Sequence, residues 1–435
     1  MADTICAIAT PLGNGGVAII RISGERALEI SKQIFVPFRA KEPTPRKAIF
    51  GKIEFGGVSD DALGLYFPAP KSFTGEEVVE LQIHGGYYLS VAVMRALNRA
   101  GARTAERGEF SKRAVLNGQM DMSQAEGIID IINANSMSSL RAGSRLMYGN
   151  LKRFVEEMQD DLTNCICEVN VALDYPEHDI EYITAVKVSE FCAETIQKID
   201  TQLATAQTGL KIKNGVKVVL AGDPNVGKSS ILNALVGYER AIVTDIAGTT
   251  RDTLNESYEF NGVLFNVTDT AGLRDTSDIV ENAGIKRAFD EINSADLVVL
   301  VQDKIDEVLP EIKNKNCIKI LNKIDQHNTN SADFDLTISA KTGQNIDKLK
   351  QLIFDKTINS HLADNDILLT NSRHIACLEK AKSALNDTIT NSKTAPLDCL
   401  AITLMQAWDA LGEITGTTAS EHIINEIFAK FCLGK

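Results

Sequence analysis

The sequence contains no run approaching the roughly 18 to 20 apolar residues that a transmembrane helix needs, so no membrane partner is expected. Its first residues, Met1-Ala2-Asp3-Thr4-Ile5-Cys6, show neither a basic region leading into an apolar one nor the Arg- and Ser-rich character of a transit peptide. The cytoplasm is the expected compartment. Cysteines are sparse and scattered, at positions 6, 165, 167, 192, 317, 377, 399 and 432, with no CxxC pair. That spacing argues against a disulfide framework and against a structural zinc site. Internal repeats and low-complexity segments are missing as well. Positive charge is in deficit, with 45 Lys and Arg against 58 Asp and Glu and a net charge of -13, whereas affinity for phosphates comes largely from cations. A nucleic-acid binder that relies on its overall charge is thereby disfavoured. The deficit is uneven: residues 1–118 carry 15 Lys and Arg against 12 Asp and Glu, which leaves 30 against 46 for residues 119–435. Any polyanionic partner has to be met locally.

What the chain does contain is the mixture typical of a soluble globular protein, 44% hydrophobic and 24% charged residues, at a length that requires two or three cores. Three textures follow one another. From Asp3 to about Gly118, short β-rich runs such as Ala18-Ile19-Ile20-Arg21-Ile22 and Val78-Val79-Glu80-Leu81-Gln82-Ile83 stand among Gly and Pro, with a helical stretch near Ser90–Ala100. Residues 123–210 and 373–431 carry long helical patterns; Ala125, Ile128, Ile129 and Ile132 recur at helix spacing, and few breakers intervene before Tyr175-Pro176. Between these two stretches, strands alternate with helices. The order predicts a multidomain α+β and α/β fold. An N-terminal α/β domain spans 1–118, an all-α domain is split between 119–212 and 371–435, and a mononucleotide-binding α/β domain at 213–370 is inserted into it.

The inserted region carries the chemistry. A buried-strand pattern at Val216–Ala221 runs into Gly222-Asp223-Pro224-Asn225-Val226-Gly227-Lys228-Ser229 and then into an apolar helix pattern, the context a phosphate loop requires. Its backbone N–H groups can curl around a β-phosphate at a helix N-terminus, Lys228 can reach the β and γ oxygens, and the Ser229 hydroxyl can hold Mg²⁺. Asp269-Thr270-Ala271-Gly272 follows the strand Val263–Val267, which forms an Asn261-Gly262 hairpin with Leu254–Phe260. The Asp of such a motif assists Mg²⁺ through water and the Gly amide senses the γ-phosphate. After a strand at Leu297–Val301, another at Ile318–Leu321 ends in Asn322-Lys323-Ile324-Asp325, and Ser339-Ala340-Lys341 follows a strand around Leu336–Ile338. The Asp325 carboxylate can accept the N1–H and 2-amino donors of guanine, which adenine lacks. Sites of that kind discriminate by about 10⁴ or more, which favours GTP over ATP. Each tetrapeptide alone would pass for an ordinary loop. Four in order at strand carboxyl ends, where open α/β sheets bind ligands, would not.

Two features depart from the Ras-like pattern. Leu273 stands where a glutamine would orient the attacking water, and no arginine finger is evident, a device worth about 10³–10⁵ in rate. Another cation and another water-positioning group must take their place. Asp275, Asp278 and Glu281 are indistinguishable candidates on composition, and each is equally an ordinary acid at a helix start.

The chain as a whole resembles the family of tRNA-modification GTPases known as MnmE or TrmE. The resemblance rests on Asp3-Thr4-Ile5-Cys6-Ala7-Ile8-Ala9-Thr10-Pro11 with Gly15-Gly16-Val17-Ala18-Ile19-Ile20-Arg21-Ile22-Ser23-Gly24, on Ser72-Phe73-Thr74-Gly75-Glu76, on Arg107-Gly108-Glu109-Phe110-Ser111, on Ala247-Gly248-Thr249-Thr250-Arg251-Asp252, and on Cys432-Leu433-Gly434-Lys435. It implies a K⁺-dependent GTPase whose inserted domain is Ras-like and hydrolyses GTP when two such domains dimerise. GTP contacts would come from Asn225, Val226, Gly227, Lys228, Ser229 and Ser230; from Thr244, Asp245, Ile246, Ala247, Gly248, Thr249 and Thr250; from Asp269, Thr270, Ala271 and Gly272; and from Asn322, Lys323, Asp325, Ser339, Ala340 and Lys341. Asn225, Thr244, Ile246 and Thr249 would ligate K⁺, while Ser229 and Thr250 would ligate Mg²⁺. Lys228, Gly272 and Glu281 would be catalytic, Glu281 as the residue that orients water.

The resemblance further implies an N-terminal domain similar to tetrahydrofolate-binding one-carbon enzymes, forming a homodimer and holding a methylene- or formyl-tetrahydrofolate. Its folate contacts map onto Arg21, Glu80 and Lys435, and onto Gln119 where the family usually has lysine. On their own, Arg21 reads equally as a surface cation and Glu80 as a strand-face acid. Cys432 is the implied catalytic thiol, for which packing of a buried cysteine is the alternative. Together with an FAD protein, MnmG, such an enzyme installs a carboxymethylaminomethyl or aminomethyl group at C5 of the wobble uridine of certain tRNAs. The alternative function is a GTP-dependent switch in ribosome or RNA-complex assembly without modification chemistry.

Overall fold

The computed structural model describes residues 3–174, 178–237, 255–269, 290–304, 316–326, 333–359, 367–431 and 434. Contacts divide the chain into two units, residues 1–129 with 412–435, and residues 130–411.

In the first unit, six strands form one sheet in the order β3-β4-β5-β2-β1-β6. They are β1 (Ile5–Ile8), β2 (Val17–Ser23), β3 (Ile49–Phe55), β4 (Val58–Phe67), β5 (Val78–His84) and β6 (Arg103–Thr104). Neighbours are antiparallel except β1 and β6, which run parallel. Alternation along β2 explains its placement: Ala18, Ile20 and Ile22 are buried and pack with Leu81 of β5 and with Phe35, Phe38, Val93 and Leu97, while Arg21 lies on the opposite side of the pleat. The helical stretch expected near Ser90–Ala100 is a helix at Tyr87–Arg99. A second cluster joins Ile5 and Ala7 of β1 to Phe110 on the helix Glu109–Leu116. A third joins Met122 and Ala125 to Ile427, Phe428 and Phe431, so the last helix, Glu421–Phe428, belongs to this core.

The second unit holds long helices at Asn150–Asp174, His178–Leu203 and Ser372–Asn391, with a shorter one at Met137–Met147. Ser136 caps that shorter helix, accepting from Ser139 N–H while the Ser139 side chain returns a bond to the cap, so two otherwise unpaired N–H donors are satisfied. The helix Ala206–Asn214 then gives way to β7 (Val216–Ala221), the first strand of a second sheet. Its other strands are β8 (Asn255–Phe260), β9 (Val263–Asp269), β10 (Leu297–Gln302), β11 (Cys317–Leu321) and β12 (Leu336–Thr337). The order is β12-β11-β10-β7-β9-β8, parallel throughout except for the β8–β9 hairpin at the edge. All six residues of β10 are buried, the signature of a central parallel strand covered on both faces. The chain is therefore multidomain: an α/β N-terminal part, a helical part, and an inserted doubly wound sheet whose strands all emerge where the sequence predicted them.

Candidate functional site

In the inserted sheet, β7 lies between β9 and β10, and among the described residues the phosphate loop, Asp269, Asn322-Lys323-Ile324-Asp325 and Ser339-Ala340-Lys341 lie at or just beyond strand carboxyl ends. The loop after β7 leads into the helix Lys228–Val236. Asn225 and Gly227 hold positive φ, +67° and +97°, which turns successive backbone N–H groups to one side. Lys228 is only 4% exposed, and its ammonium donates to the Gly222 and Asp223 carbonyls at 3.0 and 2.7 Å. It is thus held inside the loop it is expected to serve. Ser229 donates from its hydroxyl to Asp269 Oδ2 at 2.7 Å, and Asp269 is buried at the end of β9. A hydroxyl and a carboxylate brought together at a helix N-terminus form a hard oxygen donor set of the kind Mg²⁺ takes.

Asn322 ties the motifs together. Its amide donates to the Val226 carbonyl at 2.9 Å, while its Oδ1 accepts the Ala340 N–H at 3.1 Å. One buried side chain therefore joins three segments separated by up to 114 positions in sequence. The approach is so close that a Cβ on Gly227 would come within 2.4 Å of the Asn322 amide nitrogen. Ser339 donates to Asp325 Oδ1 at 2.7 Å, and its own Oγ accepts the Thr342 N–H, which fixes the carboxylate relative to the Ser339-Ala340-Lys341 turn. Asp325 itself is exposed, as is Lys341, because both lie on the open edge of the sheet. Ser230 lies exposed in the first turn of the helix.

One participant escaped the sequence reading. Asp303, one residue beyond β10, pairs with Lys323 Nζ at 2.5 Å, and that ammonium also donates to the Asn225 carbonyl at 2.6 Å. The available signal was an acid two residues beyond the apolar run Leu297–Val301, at the same sheet edge as the motifs. Thr244, Asp245, Ile246, Ala247, Gly248, Thr249, Thr250, Thr270, Ala271, Gly272 and Glu281 lie outside the described residues, as do Cys432 and Lys435.

In the N-terminal sheet, Arg21 and Glu80 face one another across β2 and β5 and form an ion pair at 2.9 Å, each side chain 17% exposed. The Arg21 guanidinium also lies 5.1 Å from the centre of the Phe73 ring. Phe73 belongs to the Ser72–Glu76 motif, and two residues on, a Cβ at Gly75 would come within 3.0 Å of Gln119 Nε2. The motif thus touches both Arg21 and Gln119. Gly434 packs against β1, where a Cβ would meet the Ile8 carbonyl at 2.3 Å; only glycine fits there.

Comparison with known proteins agrees with this geometry. Residues 4–119 match the family model of the GTP-binding protein TrmE N-terminus, and residues 122–432 match that of the MnmE helical domain. The chain belongs to the MnmE (TrmE) family of tRNA modification GTPases. It is 39% identical over 455 aligned positions to the tRNA modification GTPase MnmE of Clostridioides difficile strain 630, covering 100% of this chain and 99% of that one. The protein of the same name from Acetivibrio thermocellus is 40% identical over 455 positions, with the same coverage. Among solved structures, the G domain of the T. maritima FeoB iron transporter is 30% identical over 32% of this chain and 98% of its own. Its TM-score of 0.24 is too low to support an argument. As an MnmE-family member the protein is a GTPase, and no helix among the described residues is long and apolar enough to cross a membrane.

Proposed function

We propose that this GTPase hydrolyses GTP in a K⁺-dependent manner and couples hydrolysis to modification of C5 of the wobble uridine in certain tRNAs, together with an FAD-containing partner, MnmG. The observation that carries the reading is Asn322, which joins the phosphate loop to the Ser339-Ala340-Lys341 turn beside Asp325, so that a guanine-reading edge and a phosphate cradle form one rigid unit. Backbone N–H groups of the loop bind the phosphates, Lys228 exchanges its loop carbonyls for phosphate oxygens, and Asp325 accepts the guanine donors. Ser229 would hold Mg²⁺ together with Thr250, and Asp269, which accepts the Ser229 hydroxyl, would assist through water; the ion would supply charge neutralisation to the phosphate oxygens. Asn225, Thr244, Ile246 and Thr249 would hold K⁺ in place of an arginine finger, and Glu281 orients water where Leu273 cannot. Gly272 senses the γ-phosphate.

The N-terminal domain is read as the homodimerisation module and the tetrahydrofolate site. Arg21 and Glu80 stand side by side as a cation and a carboxylate, a pair suited to the acidic tail and the donor edge of a pterin respectively, and Gln119 and Lys435 complete the set. A bound folate would supply the one-carbon unit, and Cys432 is read as the catalytic thiol. The cytoplasm is the proposed compartment. The decisive experiment is nucleoside analysis of wobble uridines in cells that lack the protein, complemented with wild type or with Glu281→Ala. Hypomodified tRNA without the protein, restored by wild type and not by the variant, is expected. Intact modification with immature ribosomes would replace this reading by the assembly-switch alternative.

A further inference from the structure

Three segments distant in sequence meet on one ammonium group. Lys323 Nζ donates to Asp303 Oδ2 at 2.5 Å and to the Asn225 carbonyl at 2.6 Å, joining the end of β10, the residues after β11 and the phosphate loop. Exposed ion pairs contribute little, but this one is mostly enclosed, with the two side chains 28% and 20% exposed, and it is charge-assisted on both sides. Lys323 and Asn225 also share a left-handed backbone, with φ of +63° and +67°, a region that Asn tolerates but that a long side chain such as Lys adopts rarely. The carboxylate fixes the ammonium, and the ammonium fixes the peptide group that follows Asn225. Both left-handed residues are therefore held by the same carboxylate.

We propose that Asp303 is a positioning residue for GTP hydrolysis. Acting through Lys323, it locks the left-handed turn at Asn225 that the phosphate loop needs around the nucleotide and around the cation beside it. The inference rests on the reading that GTP occupies this loop with K⁺ at Asn225. The test uses the full-length protein with Asp303→Asn and Asp303→Ser, which remove the charge, and Asp303→Glu, which keeps it. Release of a fluorescent GDP analogue, and kcat and KM for GTP, are followed against K⁺ concentration at constant ionic strength made up with Na⁺. Loss of one charge-assisted bond predicts GDP release about tenfold faster in both neutral variants, and a K⁺ half-saturation point several-fold higher. The loss of kcat in the neutral variants should be largest at low K⁺ and recover as K⁺ approaches saturation, and Asp303→Glu should restore both readouts. Neutral variants that match wild type in release and in K⁺ half-point would overturn the proposal. So would a kcat lost at every K⁺ concentration with the half-point unmoved, or a Glu variant as impaired as the Asn variant, since either marks a packing role. If wild type proves indifferent to K⁺ while the neutral variants still release GDP faster, the K⁺ reading falls and the clamp stands.

Discussion

Asp3 shows how a few charges tie the two ends of the N-terminal region together. Its carboxylate accepts from Arg103 at 2.5 Å and from Arg113 at 2.7 Å, and both guanidiniums also bind Glu109. The Arg103 hydrogen bond is the main cause that lowers the Asp3 pKa to about 2 from 3.8; partial burial works in the opposite direction, and Arg113 adds to the lowering. A carboxylate whose pKa falls on folding stabilises the fold above its unfolded value, and that contribution is lost as pH drops through the folded one. The stability difference between wild type and Asp3→Asn, measured by urea unfolding, should therefore be constant above about pH 5, shrink as pH falls through the range between the two values, and vanish only below about pH 2. The same residue scale shows where sequence reading stopped. Lys228, Ser229, Asn322 and Asp325 were legible because a phosphate loop and its partners have fixed spacing. Asp303 was not, because a single acid after a strand has no spacing to identify it until β10 is set beside β7. The thiols divide in a similar way: burial pushes Cys6, Cys165 and Cys192 up to about 12, so these three are inert at neutral pH, a distinction that their sequence positions do not carry.

Among the elements, the β8–β9 hairpin links local chemistry to long-range order. The Asn261-Gly262 turn was legible from sequence, and both residues adopt positive φ, +50° and +78°, as a tight two-residue turn demands. What lies against the turn was not legible. The Gly262 carbonyl accepts the Ser138 N–H at 2.9 Å and Glu259 accepts the Met137 N–H at 3.2 Å, so the hairpin satisfies free donors at the start of the helix Met137–Met147. An acceptor carboxylate at a helix N-terminus is favourable for the helix dipole as well. At the other end of β9 stands Asp269, bonded to Ser229. Gly262→Ala would strain the backbone and bring a Cβ to 2.9 Å from Ser138 Oγ. The expected cost is about 1–3 kcal/mol in denaturant unfolding, against about 0.3–1 kcal/mol for Glu259→Gln, which loses only the charge at the helix end. Equal small losses from both variants would show that the turn does not bear on the helix.

For the whole molecule, the charge distribution limits how an RNA can be met. With 30 Lys and Arg against 46 Asp and Glu in residues 119–435, long-range attraction has to come from the N-terminal 118 residues or from a partner. The isolated protein should accordingly bind tRNA weakly at about 0.15 M salt and tighten as salt is lowered, with the proposed FAD-containing partner expected to restore affinity at the higher salt. Filter binding with and without that partner checks this, and tight binding by the isolated chain at the higher salt would contradict it. The order of textures along the chain, the strand and helix periods, and the nucleotide motifs were all settled by sequence alone, because period and spacing are local properties of the chain. The tertiary structure decided which side chains meet. Arg21 pairs with Glu80 because β2 and β5 are neighbours in the sheet, and Lys323 reaches both Asp303 and Asn225 because three loops converge at one sheet edge. Such meetings depend on strand order and register, which are long-range properties, and no local stretch of sequence encodes them.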